Sequence, residues 1–162
     1  MILKGLIPVV ILFSASVLFG QESIPTPRPF DQFGKVTAED RSARFDNLFV
    51  ELQNDPNAQG FVFIYCGKTC RYGEVEAHFR GIELKIYGRR FDRSRISVVH
   101  GGYRESNEVE LWIQPAGAGA PAASSTVNIK DVTFTKVTKR IIEPYDCCDP
   151  LEAQWKAFRP KN

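Results

Sequence analysis

The sequence predicts an α+β domain, a mixed four-stranded sheet reading β-α-β-α-β-β along the chain with two helices packed on it, plus a C-terminal β ribbon. Three observations carry this expectation. The run FVFIY at residues 61–65 is apolar without alternation, β-branched and aromatic, as in a strand covered on both faces. Before and after it, apolar residues recur at helical spacing. At residues 108–114, Val109, Leu111 and Ile113 alternate with Glu108, Glu110 and Gln114, the pattern of a strand with one face on the core.

The elements follow in order. Residues 1–20 have the shape of a secretory signal peptide: Lys4 supplies the positive start, residues 6–18 an apolar run, and Gly20 a small residue before a polar stretch. Leu18 is large for its place before a cleavage site, so an uncleaved N-terminal anchor is the alternative. Either way the body of the chain is expected outside the cytosol, in the periplasm, the cell envelope or the extracellular space. Residues 21–29 contain Pro25, Pro27 and Pro29 and form a linker. The main domain is expected over residues 30–115. Residues 30–34 make a first short strand, and Thr37 with Asp40 three residues on makes a capping-box variant that starts a helix. Phe45, Leu48, Phe49 and Leu52 form its buried stripe, and Asn54, Asp55 and Pro56 end it. After the central strand and a loop over residues 66–73, Val75, Phe79, Ile82 and Ile86 mark a second helix running to Gly88, which Gly81 weakens by about 1 kcal/mol relative to alanine. Strands at residues 95–99 and 108–114 complete the block, with His100, Gly101 and Gly102 expected in the turn between them. Residues 116–125, AGAGAPAASS, offer almost nothing to bury and are expected to be a flexible linker. Beyond it, in residues 126–162, Val127 with Ile129 and Val132 with Phe134 alternate as a ribbon continuing toward Ile141 and Ile142. A ribbon alone is marginal, so this tail is expected to dock on the domain or a partner, or to be held by its cysteines.

Without the leader, about 140 residues remain, enough for one domain and a short appendage. The formal charge of the whole chain is +2 with both signs interspersed, which leaves no electrostatic footprint for nucleic acid. After the leader no apolar run approaches the roughly 20 residues of a transmembrane helix, so no membrane span is expected in the mature chain.

Residues 52–115, with LQNDPNAQGFVFIYCG, GEVEAHFRGIELKIYGRRFDRSRISVVHGGYRES and VELWIQP, resemble the OmpA-like C-terminal domain of bacterial envelope proteins. The resemblance implies that fold and a place in the cell envelope, with peptidoglycan or an envelope protein as partner. Members of that family hold the diaminopimelate of peptidoglycan with an Asp in the loop after the central strand and an Arg on the following helix. A carboxylate suits the ammonium and a guanidinium the carboxylate of that zwitterion. Here the loop is Cys66-Gly67-Lys68-Thr69-Cys70, with no Asp, and Arg80 is the counterpart of the Arg.

The remaining candidates are read from residue chemistry. Cys66, Cys70, Cys147 and Cys148 form an even set, which in an exported chain favours disulfides. Of the three connectivities, at least one bridge from the first pair to the second is expected, stapling the tail to the domain. The same four thiols are formally a zinc set, but no cofactor or metal is expected in an oxidising compartment. Arg89, Arg90, Arg93 and Arg95 crowd around Asp92 and are candidates for an anionic glycan, peptide or lipid headgroup, the alternative being a solvated loop. Tyr103 and Trp112 could extend that surface or pack against the tail. His78 and His100 lie in no catalytic motif, and no nucleophile elbow, metalloprotease motif or phosphate loop is present. The expectation is therefore a non-enzymatic envelope protein with a binding or structural role. An exported thiol-disulfide or metal-binding protein using Cys66 and Cys70, or an accessory subunit of an envelope complex, are the alternatives.

Overall fold

The computed structural model describes residues 24–136. In chain order they form β1 (Arg28–Phe33), α1 (Ala38–Asn54), β2 (Gln59–Cys66), β3 (Thr69–Arg71), α2 (Glu74–Gly88), β4 (Ile96–Tyr103), β5 (Glu108–Gln114) and β6 (Thr133–Thr135). The class is α+β, with two helices and a mixed sheet. No helix of the described residues is long and apolar enough to cross a membrane.

The main sheet has the order β1-β5-β2-β4. β5 runs antiparallel to both β1 and β2, whereas β2 and β4 are parallel, with α2 in the crossover between them. β1 begins at Arg28, two residues earlier than expected and inside the proline-rich stretch. Pro29 is tolerated there because β1 is an edge strand and its register with β5 shifts between Pro29 and Asp31.

Helix α1 follows its local signals. Thr37 Oγ1 accepts the Asp40 N–H at 3.2 Å, and Phe45, Leu48, Phe49 and Leu52 are its buried residues. They meet Val62 and Ile64 of β2, Ile82 and Ile86 of α2, and Val109, Leu111 and Ile113 of β5 in one core. The Phe49 ring stacks on Phe91 at 4.7 Å, closing the end of the core beyond α2. In α2, Val75 and Phe79 are only partly buried, and the fully covered face is Glu74, Ala77, Gly81, Ile82 and Ile86.

On the opposite face of β2, Phe61, Phe63 and Tyr65 form an aromatic row with centroids 6.2 and 6.4 Å apart. This row explains Gly101 of β4, and the backbone conformation explains Gly102. His100, Gly101 and Gly102 are not in a turn; they lie within β4 at a register shift opposite Ile64 and Tyr65. A Cβ on Gly101 would collide with the Tyr65 ring, and Gly102 has φ +101°.

The stretch 116–125 has no regular structure, yet it is tied to the sheet. Gln114 Nε2 donates to the Ala118 carbonyl at 2.6 Å, the Ser124 N–H donates to the Tyr65 hydroxyl at 3.1 Å, and Ser125 Oγ accepts the Tyr103 N–H at 3.0 Å. Small residues let backbone approach the sheet closely, a property that the expectation of a flexible linker left out. The ribbon expected within residues 126–136 does not pair with itself. Val127 makes a single bridge to Tyr103, Ile129–Asp131 forms a 3-10 turn, and β6 pairs in parallel with β3. Ile141, Ile142, Cys147 and Cys148 lie outside the described residues.

Candidate functional site

The sheet order places the site. β4 and β5 flank β2 on opposite sides, so the connection between them, residues 104–107, must cross the C-terminal end of β2. The loop with the two cysteines leaves β2 at that end. The Arg104 N–H donates to the Cys66 carbonyl at 2.9 Å, and the Gly67 N–H donates to Asn107 Oδ1 at 2.7 Å. From the tail, the Thr133 N–H donates to the Lys68 carbonyl at 2.7 Å. Lys68 itself pairs with Glu105 at 2.8 Å.

Cys66 and Cys70 are bonded to each other, with Cα atoms 5.6 Å apart. This local bridge replaces the expected link from this pair to the tail: the three-residue loop returns at once to β3, bringing the second sulfur to the first. Both cysteines are buried.

Next to the bridge lies Glu74, the first residue of α2 and the one charged residue that is buried among those described, at 5% exposure. Its Oε1 accepts from Asn107 Nδ2 at 2.6 Å and from the Arg71 guanidinium at 3.3 Å; its Oε2 accepts the Arg71 N–H at 2.9 Å. Burial pushes this carboxyl's pKa up, but the Arg71 and Asn107 donors outweigh it, and the net result lies below the ordinary value of 4.5. Asn107 therefore joins the loop to the helix, holding Gly67 with its oxygen and Glu74 with its nitrogen. Neither residue is among the candidates that the sequence offers. The spacing Cys66-x3-Cys70-x3-Glu74 was the available signal, whereas nothing local marks Asn107.

A second network lies on the aromatic face. The Arg104 guanidinium stands 3.6 Å over the Tyr65 ring, pairs with Glu108 and with Glu110 at 2.7 Å, and donates to Ser124 Oγ at 2.7 Å. Tyr65 Oη and Trp112 Nε1 both donate to Glu110 Oε2, at 3.0 and 3.2 Å. Burial pushes the Glu108 carboxyl up, but hydrogen bonds from Arg104 and Gln32 hold it below its ordinary range. Trp112 thus belongs to the Glu110 network, and Tyr103 to the packing around the tail: Tyr103 meets Phe134 edge to face at 6.0 Å and His100 at 5.3 Å.

The arginine cluster does not converge on one point. Arg89 makes a two-pronged pair with Asp46 of α1 at 2.8 and 2.7 Å, and Lys85 reaches the same carboxylate at 2.9 Å. Arg93 grips Glu83 of α2 and the Ile96 carbonyl. One terminal nitrogen of Arg95 lies 2.6, 2.8 and 2.9 Å from the carbonyls of Leu52, Asp55 and Ala58, at the C-terminal end of α1. Asp92 is engaged chiefly by Ser94, its Oδ1 accepting the Ser94 N–H at 2.9 Å and hydroxyl at 2.7 Å, with a lesser electrostatic pull from Arg95. Arg90, exposed at φ 53°, and Arg80, exposed on α2, carry no ion pair with the described residues. Cys147 and Cys148 lie outside the described residues.

No family model, curated protein or solved structure matches this chain.

Proposed function

We propose that this chain is an exported, non-enzymatic protein of the bacterial cell envelope, a divergent relative of the OmpA-like domain with a binding or structural role and an altered association with peptidoglycan. The observation that carries the reading is the arrangement around β2: apart from the short β3 and β6, the elements follow the order β-α-β-α-β-β, and the segment after the central strand leads through β3 into the helix with Arg80. Glu74 supplies a carboxylate near the loop, but three donors already engage it and it is buried. Its burial beside the disulfide keeps it from a bulky ammonium-bearing ligand, so Arg80 is left as the contact for a diaminopimelate carboxylate.

The test is co-sedimentation of residues 21–162 with purified peptidoglycan sacculi, with and without free diaminopimelate, using wild type and Arg80→Ala. Weak sedimentation that diaminopimelate competes and Arg80→Ala reduces is the expected result. Equal sedimentation of the two proteins, or none by either, removes the peptidoglycan association. Turnover of an envelope substrate by the purified protein removes the non-enzymatic role.

A further inference from the structure

The geometry points to a thiophilic metal site that opens when the Cys66–Cys70 bridge is reduced, in which the two thiolates and the Glu74 carboxylate bind a zinc ion. The two sulfurs and a Glu74 oxygen lie within 4.8 Å of one another, and all three residues are buried. Glu74 Oε2 is already 3.9 Å from Cys66 Sγ. The inference stands on this cluster and is independent of the envelope reading.

The chemistry balances in two steps. A dithiol reductant delivers two electrons and two protons to the bridge, giving two thiols here and a disulfide on the reductant. Zinc then displaces the two thiol protons and gains two Zn–S bonds and one Zn–O bond. For that the sulfurs must move from bonding distance to about 3.8 Å, the separation that Zn–S bonds of about 2.3 Å impose on a tetrahedral ion. The Gly67-Lys68-Thr69 loop between them is the segment that moves. The donor set selects the ion: two thiolates disfavour magnesium and calcium, and three protein ligands leave a fourth position for water.

The surroundings are those of a prepared ligand. Asn107 and Arg71 orient the Glu74 carboxylate from the outer shell, as hydrogen-bonded partners do for metal-bound carboxylates. The charges also argue for a metal. Two thiolates beside a buried carboxylate would place three negative charges against the single Arg71 guanidinium, 3.3 Å from Glu74. A divalent ion relieves that repulsion.

The test uses the full chain carrying Cys147→Ser and Cys148→Ser, so that only the Cys66–Cys70 pair can be reduced. After reduction and removal of the reductant under anaerobic conditions, it is titrated with Co²⁺ and Zn²⁺. One Co²⁺ per chain, with thiolate-to-cobalt charge transfer and the strong d–d bands of a tetrahedral ion, is expected for the reduced protein and none for the oxidised. Glu74→Gln should bind at least about tenfold more weakly, since even outer-shell partners are worth that much. X-ray absorption of the zinc adduct gives a readout that needs no Glu74 variant: two sulfurs at about 2.3 Å with the remaining scatterers oxygen at about 2.0 Å. No stoichiometric uptake, unchanged affinity in a folded Glu74→Gln protein, or a sulfur-only shell would each overturn the site.

Discussion

At the scale of single residues, the most consequential group is the Glu74 carboxylate, because burial and hydrogen bonding act on it in opposite directions. Burial disfavours its charged form, and the donors from Arg71 and Asn107 favour it more strongly, so folding lowers its pKa below 4.5. A carboxyl lowered on folding stabilises the folded state fully at pH above its unfolded value, and that contribution disappears as pH falls through the folded value. Glu74→Gln should therefore be less stable than wild type by about 1–3 kcal/mol near neutral pH, the cost of weakening a buried charged hydrogen-bond set. Asp46 and Glu108 are also lowered, so wild-type stability alone does not isolate Glu74. The difference between the two proteins does. Urea unfolding at steps from about pH 7 to about pH 3 should show the gap narrowing once pH drops below the ordinary glutamate value. A gap that stays constant across the range would mean that the Glu74 charge contributes nothing.

At the scale of elements, the arginine segment after α2 is joinery. α1 ends without a basic residue in its last turn, and Arg95, arriving from another part of the chain, sits among the carbonyls there. Arg95→Ala should cost about 1.5–3 kcal/mol in urea unfolding, as expected for hydrogen bonds to a charged donor. Arg80→Ala, on the exposed face of α2, should change stability by no more than about 0.5 kcal/mol. If both substitutions are equally silent, the end of α1 is satisfied by water and Arg95 is not its cap. The same contrast explains what was legible in the sequence. Thr37, Phe45, Leu48, Phe49 and Leu52 announce α1 because caps and stripes are set by spacings within one helix. FVFIY announces β2 for the same local reason. The roles of Arg89 and Arg95 were hidden because their partners lie 43 residues away for Asp46 and Leu52, and were brought near only by the packing of the helices. Glu74 and Asn107 were hidden more deeply. They meet because the connection from β4 to β5 crosses the end of β2, a consequence of sheet order that no spacing encodes. The pairing of β6 with β3 was invisible too, since a three-residue strand such as Thr69–Arg71 has no pattern long enough to read.

At the scale of the whole molecule, the core and the tail have separable tasks. The main core draws its residues from Phe33 to Ile113, so a chain ending at Gln114 keeps both helices, the four-stranded sheet and every residue of that cluster. It loses what residues 116–136 add: the Ser124 bond to Tyr65, the contacts of Arg104 with Ser124, the buried Val127 and the pairing of β6 with β3. Burial of Val127 alone contributes roughly 1.5 kcal/mol or more, so the shorter chain should be less stable while keeping its far-ultraviolet circular dichroism. The local consequence is sharper. β6 hydrogen-bonds Lys68 inside the cysteine loop, and Phe134 stacks on Tyr72 at 5.4 Å, so the tail braces the loop that must open for the bridge to be reduced. Opening a braced loop requires breaking those contacts first, and each 1.4 kcal/mol of bracing slows reduction through the open form about tenfold. The shorter chain should therefore lose the Cys66–Cys70 bridge to a phosphine reductant several-fold faster than the full chain carrying Cys147→Ser and Cys148→Ser, measured by thiol trapping over time. Equal rates would mean that the loop opens independently of β6, and that control of the bridge resides in Asn107 and the connection between β4 and β5.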